Sequence, residues 1–265
     1  MTSIIFFISG LIVGSFLNVI IYRLRIFDTI LGRSICPHCK SQIRWYDNVP
    51  LLSFILLGAK CRDCEGKISW QYPAVELFTG LVFALVGYMF FDVGNVQSFW
   101  ETGFYLIVFA LLIVLLAYDW FYMEMPILIF WIILGVIAVN LIFISAQELN
   151  LGFKFTELSL LNYSIGGFVA WFFFFCLVFF SKEKWMGWGD VYVGLLVGLI
   201  LGWPDVLVGL LSAFTLGAMY ATFLIWRKKG NLKSEVPFIP FLALGVIVTV
   251  FILKKFPLFL SYIVF

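Results

Sequence analysis

Apolar runs of about bilayer length recur along this 265-residue chain, and they decide most of what it can fold into. Crossing a hydrocarbon core about 30 Å thick takes roughly 20 apolar residues in a helix. Eight candidate runs are readable: Ser3–Ile21, Pro73–Phe91, Thr102–Tyr118, Pro126–Ile144, Ser164–Phe180, Val191–Leu201, Val206–Trp226 and Phe238–Leu253. The sixth is short, and the turn-forming sequence Gly202-Trp203-Pro204-Asp205 divides it from the seventh. Charged residues make up only 12% of the chain, against about 25% in soluble domains, so a water-exposed surface cannot be built from it. In lipid each span must bond its own backbone, which leaves helices. The predicted fold is therefore all-α, a polytopic membrane bundle of about eight transmembrane helices with lipid as its surroundings. Nothing in the sequence points to nucleic-acid binding, and oligomeric state is not legible. The first run lacks a basic leader and a small-residue cleavage site and ends in Tyr22-Arg23-Leu24-Arg25, so it is expected to be a retained span.

Orientation follows from the basic residues, which favour cytoplasmic loops. Threading eight spans alternately puts 23–72, 181–190 and 227–237 on one side. Those loops hold Arg23, Arg25, Arg33, Lys40, Arg44, Lys60, Arg62, Lys67, Lys182, Lys184, Arg227, Lys228, Lys229 and Lys233, fourteen of the seventeen Lys and Arg. The other side keeps Lys154, Lys254 and Lys255. The first set is expected to face the cytoplasm, in a multi-pass protein of the inner (plasma) membrane. The domain reading is a first span over 1–22, a cytoplasmic four-cysteine loop domain over 23–72, and a membrane-embedded portion over 73–265. No internal repeat is visible. Within the polar loop Val49–Leu57 is apolar enough to lie on the membrane surface.

Cys36-Pro37-His38-Cys39 is followed, after 21 intervening residues, by Cys61-Arg62-Asp63-Cys64. Two Cys-x-x-Cys knuckles at this separation read as a four-thiolate zinc site, because each knuckle aims two sulfurs at one point and two knuckles complete a tetrahedron. Lys40 and Arg62 are expected to favour the thiolates. A pair of disulfides is the rival, and a reducing cytoplasm disfavours it. Such a zinc would be structural, pinning a loop too small to hold its own core. His38 is surplus to four cysteines, and Cys176 is expected to be a buried apolar thiol.

Asp119 closes the third run, in Leu116-Ala117-Tyr118-Asp119-Trp120, and Asp190 opens the sixth, in Gly187-Trp188-Gly189-Asp190-Val191. A carboxylate at the edge of an apolar span is costly, which argues for a role. Alone, each reads equally well as a helix end at the water interface, and Asp190 suits an N-cap. Together they say more. Topology puts both on the cytoplasmic side, and Gly187 and Gly189 remove bulk beside Asp190, which lets another chain approach. Two carboxylates meeting there would share a proton, the ionised one activating water and the protonated one polarising a scissile carbonyl. Among the other acids, Glu76 is placed to pair with Arg23 or to line a groove, and Glu101 to be solvated. Asn18 can bond between helices, with Gly14 and Ser15 allowing close packing.

In order along the chain, these segments resemble the type IV prepilin peptidases, which are GxGD aspartic proteases. Gly14-Ser15-Phe16-Leu17-Asn18-Val19-Ile20-Ile21-Tyr22-Arg23 looks like the family's opening segment. The two cysteine knuckles, with Tyr46-Asp47-Asn48-Val49-Pro50-Leu51-Leu52-Ser53 between them, look like its cytoplasmic domain. Tyr72-Pro73-Ala74-Val75-Glu76-Leu77 is similar to the segment that follows. Gly187-Trp188-Gly189-Asp190 matches GxGD, and Val236-Pro237-Phe238-Ile239-Pro240-Phe241 resembles the late proline-rich motif. The resemblance implies that Asp119 and Asp190 cleave the leader peptides of prepilin or pseudopilin substrates at the cytoplasmic face, after the glycine of a short basic leader. It also implies N-methylation of the new N-terminus with S-adenosylmethionine, which no glycine fingerprint in the chain shows independently. The chain departs from the family at Tyr192, where Lys is usual, and at Ile127, where Asp commonly follows Pro126. Asp119 is assigned by its seven-residue distance to that proline. The competing readings are a peptidase without methyltransferase activity, and a transporter or scaffold whose acids are proton sites.

Overall fold

The computed structural model describes residues 2–26, 32–152, 159–227 and 236–256. Their regular structure is helical: α1 (Thr2–Ile26), a 3-10 turn (Trp45–Asn48), α2 (Leu52–Leu56), α3 (Gln71–Met89), α4 (Val96–Tyr122), α5 (Ile127–Asn150), α6 (Ser159–Ser181), α7 (Trp188–Leu201), α8 (Val206–Trp226) and α9 (Ile239–Lys255). Isolated bridges join Ile35 to Gln42 and Lys60 to Lys67, and no longer strand occurs among the described residues. Lys154, Lys228, Lys229 and Lys233, which entered the charge argument, lie outside the described residues.

Each of the eight apolar runs forms a helix. Six of these, α1, α3, α4, α5, α6 and α8, are long and apolar enough to cross a membrane, which makes this a multi-pass membrane protein. The other two are shorter. At about 1.5 Å per residue the 14 residues of α7 reach only about 21 Å, and the 17 of α9 about 26 Å.

The chain divides into two compact units, Met1–Ala117 and Tyr118–Phe265, with the division falling inside α4. In the first unit α1 packs along α3. Glycines permit the approach, since a Cβ on Gly14 would lie 2.8 Å from the Glu76 Cα. Aromatic pairs extend this contact, with Phe6 against Phe91 and Phe90 against Tyr105. The carboxylate of Glu76 accepts the Leu51 N–H at 2.8 Å, and the guanidinium of Arg23 donates to the Gly32 and Arg33 carbonyls. Glu76 thus anchors the turn into α2. On α2 Leu52, Ile55 and Leu56 are exposed.

The second unit is built around α7, which touches α5, α6, α8 and α9. Nine of its fourteen residues are buried. That enclosure explains how so short a helix is tolerated, because most of its length meets protein. Packing against α6 is glycine-mediated: a Cβ on Gly198 would sit 2.1 Å from the Gly166 carbonyl oxygen. The α8–α9 pair repeats the device, with a Cβ on Gly245 falling 2.7 Å from the Gly209 oxygen. Cys176 is half-buried in α6 and not fully enclosed.

Candidate active site and candidate metal centre

Asp119 lies one turn before the end of α4, and Asp190 is the third residue of α7. Helix α7 starts earlier than the apolar run suggested, so Gly187 and not Asp190 is its N-cap. The Asp190 carboxylate turns back to accept the Gly187 N–H at 3.2 Å. This satisfies one of the amides that a helix start leaves free. The Asp119 carboxylate lies near the start of a different helix, beside the backbone N–H of Ile239, first residue of α9. Pro240 follows directly and has no N–H to offer. Each carboxylate therefore sits at the positive end of a helix dipole.

The two side chains are 6% and 8% exposed and close enough to interact electrostatically. Asp119 Oδ2 is a buried oxygen with no hydrogen-bond partner. The next residue in the chain, Trp120, stands 5.1 Å from Tyr220 and 6.4 Å from Phe241, centroid to centroid. The two glycines differ. Beside Gly187 there is open space, with only the Gly189 amide 4.0 Å from where a Cβ would stand. A Cβ on Gly189 would meet the Met125 side chain at 3.3 Å and Ile239 at 3.4 Å. Glu124 is exposed and Glu101 half-buried. Tyr192, one turn into α7, packs on Phe130 at 5.3 Å, and Ile127 opens α5 with an exposed side chain.

The sequence reading missed Ile239. Its contribution is a backbone amide, which no side-chain pattern marks. The available signal was the Pro at 240, a residue favoured in the first turn of a helix.

The four expected cysteines come together, their sulfurs all within 4.8 Å of one another. Cys36 Sγ and Cys64 Sγ are 3.9 Å apart. Zinc–sulfur bonds of about 2.3 Å set a tetrahedral edge near 3.8 Å, so the cluster has the size and donor set of a structural zinc site. The knuckles are copies of one another. In each the first cysteine donates to the carbonyl five residues on, Cys36 to Ser41 and Cys61 to Gly66, at 2.9 and 2.8 Å. In each the residue four past that cysteine, Lys40 or Glu65, donates back to it and takes a positive φ, 59° or 55°. The bridges Ile35–Gln42 and Lys60–Lys67 flank them at equivalent positions. This local repeat is invisible as sequence identity, because backbone geometry and not side chains carries it.

The expected cause of thiolate formation needs correction. The Ser41 hydroxyl, 2.9 Å from Cys39, chiefly lowers the Cys39 thiol to about 6. Backbone N–H groups of Cys64 and Asp63 lower that of Cys61. For Cys64 the Gly66 N–H favours the anion, but desolvation and the other three sulfurs outweigh it and push the thiol up to about 12. Arg62 is committed elsewhere, in a two-pronged ion pair with Asp47 at 2.9 and 2.6 Å.

Comparison with known proteins bears on both clusters. Residues 8–90 match the profile of the bacterial peptidase A24 N-terminal domain, and residues 106–222 that of the type IV leader peptidase family. The chain is 31% identical over 272 residues to the type 4 prepilin-like proteins leader peptide-processing enzyme of Escherichia coli, an alignment covering 94% of this chain and 93% of that protein. The chain belongs to the type IV leader peptidase family. It is also similar to the prepilin leader peptidase/N-methyltransferase of Vibrio cholerae, 35% identical over 75% of this chain and 77% of the relative. To that of Burkholderia pseudomallei it is 30% identical over 95% and 86%. The four cysteines fall inside the first matched stretch and both aspartates inside the second, while Ile239 lies beyond it. No solved structure matches the chain.

Proposed function

We propose that this protein is a membrane aspartic endopeptidase that removes leader peptides from type IV prepilin-like substrates, with Asp119 and Asp190 as its catalytic pair. The observation that supports this most is the meeting of two buried carboxylates, each beside a helix start, Asp190 held by the Gly187 amide and Asp119 carrying an oxygen without a partner. Two such acids in a low-dielectric setting hold one proton between them. The ionised carboxylate takes a proton from water as the water oxygen bonds to the scissile carbonyl carbon. The protonated one gives its proton to the carbonyl oxygen. Collapse of the resulting diol breaks the C–N bond, and the leaving amine takes a proton. The Gly187 amide fixes the Asp190 carboxylate, and the open space at Gly187 suits an extended substrate backbone. Gly189 keeps room beside Met125.

Further parts of the reading are proposals of the same kind. The protein resides in the inner membrane, cutting at the cytoplasmic face, as the basic bias of the 23–72 loop favours. Cys36, Cys39, Cys61 and Cys64 hold one structural zinc that pins the loop between the first span and the peptidase portion, and α2 with its exposed Leu52, Ile55 and Leu56 rests on lipid. N-methylation of the product with S-adenosylmethionine is favoured by the names of the Vibrio and Burkholderia relatives. The test is incubation of a purified prepilin with the purified protein in detergent, followed by mass analysis of both fragments. Cleavage after the leader glycine without any ion gradient is expected. Intact substrate, with ion-gradient-dependent transport in vesicles, would replace the peptidase by a transporter.

A further inference from the structure

The link from α4 to α5, Met123 to Pro126, runs beside the two aspartates, and its side chains take no part in the proton transfers. It is tied at both ends. The Met123 N–H donates to the backbone carbonyl of Asp119 at 2.8 Å, and the carbonyl of Pro126, the N-cap of α5, accepts the Ile129 N–H at 3.0 Å. Met125 precedes that proline, which disfavours a helical backbone there. So short a link, fastened at each end, fixes where the Met125 Cβ stands.

It stands over Gly189. A carbon added to Gly189 would meet Met125 Cβ at 3.3 Å, Ile239 Cδ1 at 3.4 Å and the Met125 sulfur at 3.6 Å. Two apolar side chains therefore converge on the residue that precedes Asp190. One of them belongs to the residue whose amide lies beside the Asp119 carboxylate. On the other flank, Gly187 has nothing nearer than 4.0 Å. The approach to the pair is thus open on the Gly187 side and walled on the Gly189 side. Ile239 is 4% exposed and enclosed, whereas Met125 is half-buried. Met125 is the part of the wall with surface left to touch a substrate.

A residue whose carbonyl is attacked between Asp119 and Asp190 must bring its own Cα alongside the pair. Its side chain is the one that meets the wall. We propose that Met125 is a specificity-determining residue, limiting the size of the residue that supplies the scissile carbonyl and favouring one with little or no side chain. The inference rests on the peptidase reading and names what sets its selectivity. One methylene more or less in an apolar pocket changes kcat/KM by about 10–200-fold. Methionine is adaptable, so the discrimination is graded and not absolute.

The test measures kcat/KM of the full-length protein in detergent on prepilin substrates that differ only in the residue before the cleaved bond, glycine, alanine or valine. Wild-type protein should prefer glycine, with alanine about tenfold or more below it and valine lower still. Met125→Ala should narrow the glycine-to-valine ratio by about tenfold or more, and Met125→Val should narrow it less. Met125→Leu, close in volume, should keep the wild-type ratio, and Met125→Phe should widen it. The readout is a ratio within one preparation, so loss of active protein cancels. If Met125→Ala does not insert or fold, Met125→Val and Met125→Phe carry the test in opposite directions. An unchanged ratio in the folded variants, even with slower cleavage of every substrate, would reduce Met125 to packing and overturn the proposal. Wild-type protein that cleaves all three substrates equally would overturn it and leave the peptidase standing. Wild-type protein that cleaves none would overturn the peptidase and this inference with it.

Discussion

Residue types near the spans announced the chemistry, while backbone partners stayed hidden. Asp119 and Asp190 stood out because carboxylates are rare in apolar helices. The backbone amides beside them, those of Ile239 and Gly187, have no side-chain signature, and the start of α7 came three residues earlier than hydropathy indicated. The difference between the two glycines was equally hidden. Gly187→Ala is expected to keep the fold and to reduce cleavage mainly through KM, because its Cβ points into open space that the substrate would occupy. Unchanged KM with unchanged kcat would remove the substrate from that side. Arg62 shows how a local charge can be misread. Its partner is Asp47, and the guanidinium's hydrogen bonds hold that carboxyl below its ordinary 3.8. A carboxyl depressed by folding contributes stability above its ordinary range and loses it as pH falls through the depressed value. Amide exchange around 45–48 and 61–66 should therefore be faster in Asp47→Asn than in wild type at neutral pH. The difference should vanish in strong acid. Equal exchange at neutral pH would mean the pair contributes nothing.

At the scale of elements, hydropathy located every span and could not tell which helix is enclosed. An apolar run reads alike whether it faces lipid or protein. The close packing of α7 comes from glycines on it and on its neighbours, which the sequence shows only as a scatter of small residues. Gly198→Leu is expected to separate α6 from α7, since even a Cβ would overlap the Gly166 backbone. Overpacking of this kind costs about 1–3 kcal/mol or more, so its thermal midpoint in detergent should fall. Gly135→Ala on α5, with nothing within 4 Å of the added carbon, should leave the midpoint unchanged or slightly raised. The knuckle spacing was the most legible part of the chain, because two Cys-x-x-Cys units admit few uses. Elemental analysis of protein purified without chelator should give one zinc per chain, and Cys36→Ser should lose most of it. The spans should still insert, because lipid burial does not depend on the loop. Metal-free wild-type protein would contradict the zinc proposal.

On the whole-molecule scale, the order of motifs carried more than any one of them. A lone GxGD is common, but GxGD between a four-cysteine loop and a proline-rich segment pointed to one family, and the matches over residues 8–90 and 106–222 agree. The departures at Tyr192 and Ile127 are both exposed, so neither is required for packing the pair. The most direct measurement is processing of a purified prepilin by wild-type, Asp119→Asn, Asp190→Asn and doubly substituted protein, with membrane insertion checked for each and Glu101→Gln and Glu124→Gln as controls. If the two aspartates act as one unit, each single substitution abolishes most cleavage and the double is little worse, because effects within a unit do not add. The controls keep substantial activity. A well-inserted Asp190→Asn protein that cleaves at near wild-type rate would contradict the catalytic pair.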